Sequence, residues 1–357
     1  MNQSNVIVEY QKNKGYKLLF LLFVLVALFV LVIISLAMGS AQIGLGEIAD
    51  LVLGRSSDFV KQIVVNVRMP RVFGAILAGM ALSVSGAVIQ SLLRNPLASP
   101  FTLGISGASA FGAALAIVVF GAGSSYAGSN DMATISNPYF LATSAFLCSL
   151  IGVAVILSLS RYRGAGPEII ILAGIILSSL FGAGISAMQY FADSVQLASI
   201  VFWTFGDLGR ANWENIIILL AVVLISLSFF VQNTWNYKAL QSGDEYAKSL
   251  GINVRRARLM GMVVASLATA VVVSFYGVIA FVGLVVPHII RRIIGGDEQF
   301  LIPASALFGG LFMLASDTLA RTIIAPVVLP VGILTSFLGA PLFLFLLVKG
   351  LNRTYWT

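Results

Sequence analysis

Apolar residues in this chain fall in long unbroken runs, neither alternating nor confined to one helical stripe. Ten runs separate, near 18–39, 72–93, 101–120, 139–160, 168–190, 215–232, 259–276, 278–294, 303–320 and 330–349. Each has the roughly 17–25 residues of a helix that crosses a bilayer with some tilt. Continuous runs of this length argue against a membrane β-barrel, whose strands are shorter and alternate. The pattern predicts an all-α polytopic membrane protein: ten transmembrane helices in a single domain over residues 1–357. Only "FYGVIAF" separates the seventh and eighth runs, so Gly277 is expected to mark a tight turn or a break. The first run, Leu18–Met38, follows Lys12, Lys14 and Lys17. A signal peptide shares that charge pattern but has an apolar core of only about 7–15 residues. The run is therefore predicted to be a retained spanning helix behind a tail of residues 1–17.

Composition agrees with the pattern. Hydrophobic residues make up 59% of the chain and charged ones 10%, with mean hydropathy +1.00; soluble domains carry about 25% charged residues. The formal net charge is +7. The basic residues lie between apolar runs, which points to membrane topology and anionic headgroups, with no nucleic acid as partner. With a cytoplasmic N-terminus and ten crossings, Arg55, Lys61, Arg68, Arg71, Arg210 and Arg321 face outward. The remaining 15 of the 21 Lys and Arg residues face inward. This positive-inside bias predicts both termini in the cytoplasm.

One polar island, Asn233 to Arg258, interrupts the second half of the chain. Within it "SGDEYAKSLG" reads as one short helix on the basic side. Ser242 with Glu245 has the form of a capping box, and Gly251 supplies a left-handed stop. Arg255, Arg256 and Arg258 then open the next apolar run. A small folded knob on the inner side of a membrane protein suggests a part presented to a larger machine.

Small residues recur at four-residue spacing on the fifth run (Gly174, Ser178, Gly182, Ser186) and on the tenth (Gly332, Ser336, Ala340). Such faces allow close helix packing, or border a partner or a substrate path. Cys148 is alone and lies in an apolar run, so it forms no internal disulfide. The lone His288 cannot build a metal cluster. There is no GxxxxGK[ST] phosphate loop. The two GxGxxA matches, at 44–49 and 182–187, lack a βαβ setting. Most acids are placed in loops, and no catalytic site can be read. Asp317 and Arg321, four apart, can pair along one helix face. No proton relay is visible, which counts against an ion-coupled carrier.

The stretch "RMPRVFGAILAGMALSVSGAVIQSLLRNPLASPFTLGISGASAFG" (Arg68–Gly112) is similar to the permease family of ABC importers for ferric siderophores, haem and vitamin B12. The similarity continues in order through "SGDEYAKSLGINVRRAR", "FVGLVVPHIIRR" (Phe281–Arg292), "SDTLARTI" and "LPVGILTSFLGAPLFLFLL". It runs from about residue 40 to the end, and the loops at 121–138 and 191–213 carry little of it.

The resemblance implies a ten-helix subunit like the vitamin B12 importer permease, paired with a second permease subunit as homo- or heterodimer. Two ABC ATPase subunits would dock on the cytoplasmic side, and an extracytoplasmic binding protein would deliver substrate. The chain itself would bind no cofactor or metal; ATP and Mg would sit on the partner subunits. The segment 233–258, with Ser242, Gly243, Asp244, Glu245, Tyr246, Ala247, Leu250, Gly251, Arg255 and Arg256, corresponds to the family's coupling helices. Arg68, Arg71 and Arg321 match outer-surface arginines that pair with glutamates of the binding protein. Arg68 and Arg71 flank Pro70, which is expected to hold the chain extended before the second helix. The face Gly174/Ser178/Gly182/Ser186 is expected to line part of the path. His288 follows Pro287 at the inner end of the eighth run, where a capped helix end is expected. The implied function is ATP-driven import of a ferric siderophore across the bacterial cytoplasmic (inner) membrane. Haem and cobalamin are alternative cargoes. A stand-alone secondary carrier is the rival from another class, and a non-transporting scaffold or receptor a third reading.

Overall fold

The computed structural model describes residues 3–39, 43–122, 137–161 and 166–350. Of the basic residues used for orientation, Arg163, Arg353 and the side chains of Lys12, Arg161 and Lys349 lie outside the described residues, as does most of the loop at 121–138. All regular structure described is helical. In chain order the helices are α1 (Gln3–Ala37), α2 (Leu45–Val52), α3 (Asp58–Gln62), α4 (Met69–Leu93), α5 (Ile105–Val118), α6 (Pro138–Arg161), α7 (Pro167–Phe191) and α8 (Ser194–Thr204). They continue with α9 (Trp213–Gln232), α10 (Thr234–Gln241), α11 (Asp244–Ser249), α12 (Val254–Tyr276), α13 (Val282–Ile294), α14 (Glu298–Thr322) and α15 (Val331–Gly350). A π-helical turn, Ile63–Arg68, joins α3 to α4, and a 3₁₀ turn, Leu208–Arg210, follows α8.

Each of the ten apolar runs holds one helix. Among the described residues seven helical stretches are long and apolar enough to cross a bilayer: Lys14–Ala37, Asp58–Leu93, Pro138–Leu159, Pro167–Phe191, Trp213–Gln232, Val254–Tyr276 and Glu298–Thr322. The 14-residue α5 and the 13-residue α13 are shorter. At 1.5 Å per residue they rise only about 20 Å, less than the ~30 Å hydrocarbon core. The ten runs are therefore not ten equal crossings. Irregular backbone precedes both short helices, at 99–104 and 277–281. Such backbone is tolerated at membrane depth only when buried in protein. The break after α12 meets that condition. Gly277 turns with φ 78°, and a Cβ there would lie 2.2 Å from the Trp203 carbonyl oxygen. Asp207 N–H donates to Tyr276 O at 2.8 Å beside it.

The segment 191–213, expected as a loop, contains α8. Asp193 caps it, accepting from Gln196 N–H at 2.8 Å, while the Gln196 side chain accepts from Asp193 N–H at 3.2 Å. Eleven residues are too few to register as a membrane run. The expected extended backbone at Pro70 is also corrected. Met69 is right-handed helical (φ −59°, ψ −50°). The wider π turn leaves room for the proline ring, and the first turn of α4 has no use for the missing N–H.

α4 is the centre of the bundle. Twenty of its 25 residues are buried, and it packs against α14, α12, α13 and α9. Lipid provides no hydrophobic force between helices, so association depends on close packing and polar bonds. α4 and α14 meet backbone to backbone: a Cβ on Gly79 would lie 2.2 Å from Gly309 O. Next to this contact Ser83 Oγ donates to Ser305 O at 2.7 Å. α4 approaches α13 as closely, since a Cβ on Gly86 would fall 1.7 Å from Gly283 O. The outer helices leave large apolar side chains exposed, among them Leu19 and Phe23 on α1, Ile225 on α9 and Phe337 on α15. That surface suits lipid and not water.

Gly86→Ala should force α4 and α13 apart and cost about 1–3 kcal/mol or more by overpacking. Gly182→Ala, where nothing lies within 4 Å of the added carbon, should leave stability unchanged or slightly raised. Thermal midpoints of the two variants in detergent test the contrast; equal midpoints would contradict this packing.

Candidate functional site

The helix expected within 242–251 is present as α11, and a second short helix, α10, precedes it in the polar island. α9 ends at Asn233, whose side chain folds back to donate to Phe229 O at 2.8 Å. α10 then begins and buries Tyr237 and Leu240. Burial, with Glu298 nearby, pushes the Tyr237 phenol pKa up. α11 spans Asp244–Ser249 within the predicted stretch, but the predicted capping box is absent. Gly243 is its N-cap, with φ 120° and ψ 154°, and no side chain caps the helix. Ser242 belongs to the end of α10 instead, its N–H donating to Ala239 O at 3.2 Å. Asp244 is drawn away from capping by Arg258, 2.8 Å away. The stop at Gly251 is as expected: φ is 79°, and Ile252 N–H donates to Ala247 O at 3.0 Å. Ala247 is buried, whereas Glu245, Tyr246, Leu250, Arg255 and Arg256 are exposed. The knob thus presents one aromatic and one aliphatic side chain amid charges.

Two polar links fasten the knob to α4. Arg258, buried in α12, joins Asp244 of α11 to α4, its Nε donating to Leu92 O at 3.1 Å. Gln241 of α10 donates through Nε2 to Glu298 at the start of α14. Glu298 is fully buried; it also accepts from Ser91 Oγ of α4 and lies 3.9 Å from Arg291 of α13. Arg291 also donates to Gln90 Oε1 at 3.3 Å. One buried carboxylate therefore connects α4, α10, α13 and α14. On the rim, Asp297 pairs with Lys238 at 3.3 Å and with Lys17 at 4.0 Å. Glu298 was not read from the sequence, where it passes for a loop acid. Arg258 had a signal in the "NVRRAR" run, but its buried role did not.

A second cluster lies at the opposite end of the α4–α14 pair. Asp317, fully buried, is 2.9 Å from Arg71 Nη2 and 3.0 Å from Arg321 Nε. The predicted Asp317–Arg321 pair is therefore present, with Arg71 added. Arg71 reaches Asp207 at 3.6 Å. Arg321 Nη2 donates to Ser35 Oγ at 2.6 Å. Arg68 donates to the α1 carbonyls of Leu36 and Ala37. The three candidate docking arginines are thus brought together, but in this conformation they are mostly buried and turned toward internal partners.

The four-residue face of α7 divides. Gly174 packs on the turn before α5, where a Cβ would lie 2.3 Å from Thr102 O. Ser178 is half-buried, Gly182 has open space and Ser186 is exposed. On α15, Gly332 packs tightly against Phe205 O while Ala340 is exposed. His288 is not at a helix end. It sits within α13, buried, with its ring 5.7 Å from that of Phe343. The helix continues to Ile294, which is why no cap is needed there.

Asp317→Asn removes the charge between two buried cations and should cost about 3–5 kcal/mol, the usual result of breaking a buried pair. The double change Asp317→Leu with Arg321→Met should cost less than Asp317→Asn alone. Detergent thermal midpoints measure both; the reverse order would show that the pair is not the stabilising unit.

A model of the FecCD transport family matches residues 27–349. An inferred ABC transporter permease of Methanocaldococcus jannaschii is 54% identical over 346 residues, 96% of this chain and 99% of that one. The hemin transport system permease protein of Yersinia pestis is 38% identical over 326 residues, 89% of this chain and 93% of that one. Among solved structures, an inferred metal-chelate type ABC transporter in an inward-facing conformation superposes with a TM-score of 0.79. It is 31% identical, covering 92% of this chain and 98% of that chain. With the family model extending from α1 to the end of α15, this chain belongs to the FecCD transport family, permease subunits of ABC importers.

Proposed function

We propose that this chain is the transmembrane permease subunit of an importer that carries a ferric siderophore across the bacterial cytoplasmic membrane. It pairs with a second permease subunit, is driven by two separate ABC ATPase subunits that hold ATP and Mg, and receives cargo from an extracytoplasmic binding protein. The observation that carries this reading is the pair of links from the knob to α4, through Arg258 and through Gln241–Glu298. An ATPase pressing on the exposed face of α11 would move α4, and with it α13 and α14. A groove of about 400 Å³ beside the knob, lined by Asn236, Asn253 and Arg256 together with Phe229, Ile252 and Met260, gives such a partner a seat of mixed polarity.

At the other end, Arg68, Arg71 and Arg321 receive the binding protein. Their guanidinium forks suit its carboxylates, and docking would compete with Asp317 for Arg71 and Arg321. The α7 face from Gly182 to Ser186 borders the path. Iron-chelate cargo is supported by the names of two similar proteins, one for hemin transport and one of metal-chelate type. The hemin relative also favours haem as the second reading.

In proteoliposomes holding this chain with its ATPase and binding protein, uptake of a ferric siderophore should require internal ATP. Uptake driven by a proton gradient without the ATPase would overturn the assignment in favour of a secondary carrier. Arg258→Met should leave the ATPase bound and hydrolysing, yet lower cargo moved per ATP by about tenfold or more, the loss expected when a buried charged hydrogen bond of ~1.5–3 kcal/mol is removed. An unchanged transport ratio would remove Arg258 from the coupling route.

A further inference from the structure

The end of the molecule opposite the knob contains a cavity of about 260 Å³ that the transport reading does not use. It lies between the start of α6, the end of α8, the 3₁₀ turn, the start of α9 and the end of α12. Tyr139, Leu141, Trp203, Arg210, Asn215 and Phe275 are among its lining residues. Two donors there are orphaned. Trp203 is 1% exposed and its Nε1–H has no acceptor. Arg210 Nη1 is buried without an acceptor, while Nη2 donates to Phe202 O at 3.3 Å.

Among the described residues Arg210 has no ion-pair partner within 4 Å; the carboxylate against the cavity's lining, Glu214, accepts from Tyr139 at the rim. Asp207, the nearest candidate, is already held by Arg71 and by Gly209 N–H at 2.7 Å. Burial lowers the Arg210 pKa, with Asp207 opposing. Arg210 Nη1 and the indole N–H are thus two buried donors left unmatched unless something fills the space.

We propose that this cavity binds a phosphate group, with Arg210 and Trp203 donating to its oxygens. A guanidinium fork beside a second N–H suits a tetrahedral oxyanion. The volume is below the 300–1,000 Å³ usual for drug-sized ligands, which excludes a whole metal chelate and admits a headgroup or a free ion. The aromatic surround favours a lipid source. Tyr139 at the rim and Trp213 nearby, its Nε1 donating to Val65 O, form the aromatic belt found at headgroup level. Leu141 and Phe275 give a hydrocarbon stem an apolar wall.

The test uses the full chain, delipidated in a maltoside detergent that carries no phosphate. Short-chain phosphatidylglycerol and inorganic phosphate are titrated separately, with the thermal midpoint as readout. Saturable stabilisation by either is expected, and whichever saturates identifies the source. Arg210→Gln should weaken that binding about tenfold or more, with Arg210→Lys intermediate. Trp203→Phe, which removes the donor together with part of the ring, should weaken it about threefold or more and serves if the arginine variant does not fold. No saturable binding to either probe, or wild-type binding in both Arg210→Gln and Trp203→Phe, overturns the proposal.

Discussion

The contact between α4 and its neighbours at Gly79, Gly86, Gly283 and Gly309 is the constraint on which the bundle depends. Helices in lipid gain little from hiding apolar surface against one another, so their association needs short range and satisfied polar groups. Four positions without side chains let three backbones touch. Ser83, bonded to Ser305 O across the same seam, shows how little room is left. Everything else at the centre, including both ionic clusters, is placed by that seam.

The two clusters sit on the same helix pair. Ser91 and Glu298 mark one end, Arg71 and Asp317 the other. Twenty residues of α4 separate Ser91 from Arg71, about 30 Å of helix at 1.5 Å per residue, the thickness of the hydrocarbon core. Buried charge thus appears where the bilayer ends, paired at both levels. On the proposed reading this makes α4 and α14 a stiff rod between the ATPase side and the binding-protein side. Between those ends the pair is held by the glycine contacts and by the bond from Ser83 to Ser305 O, so the two helices move together.

Much of this was legible in the sequence because apolar runs record membrane helices directly. The ten runs locate ten of the helices, and Gly277 and Gly251 announce the breaks that the structure shows. Failures share a physical cause. α8 is too short to read as a run, and its cap at Asp193 resembles ordinary loop chemistry. Ser242 has the right spacing from Glu245, but α10 ends where the cap would begin, and only the backbone path reveals that. Glu298 is the clearest case. Its partners Ser91 and Gln241 lie 207 and 57 residues away, so no local pattern distinguishes it from a solvated acid. For Arg321 the sequence named its carboxylate, Asp317, four residues away, but Arg71 reaches the same carboxylate across 246 residues, which no local spacing reveals.

The bonds at Ser35 carry a consequence for biogenesis. Arg321 and Thr318 meet this serine across 286 and 283 residues. At about 5–20 residues per second of synthesis, α1 waits roughly a quarter of a minute to a minute for this mate. Until then α1 is held by the bonds from Arg68 ahead of α4, and translation of α14 is the event that lets the polypeptide close on itself.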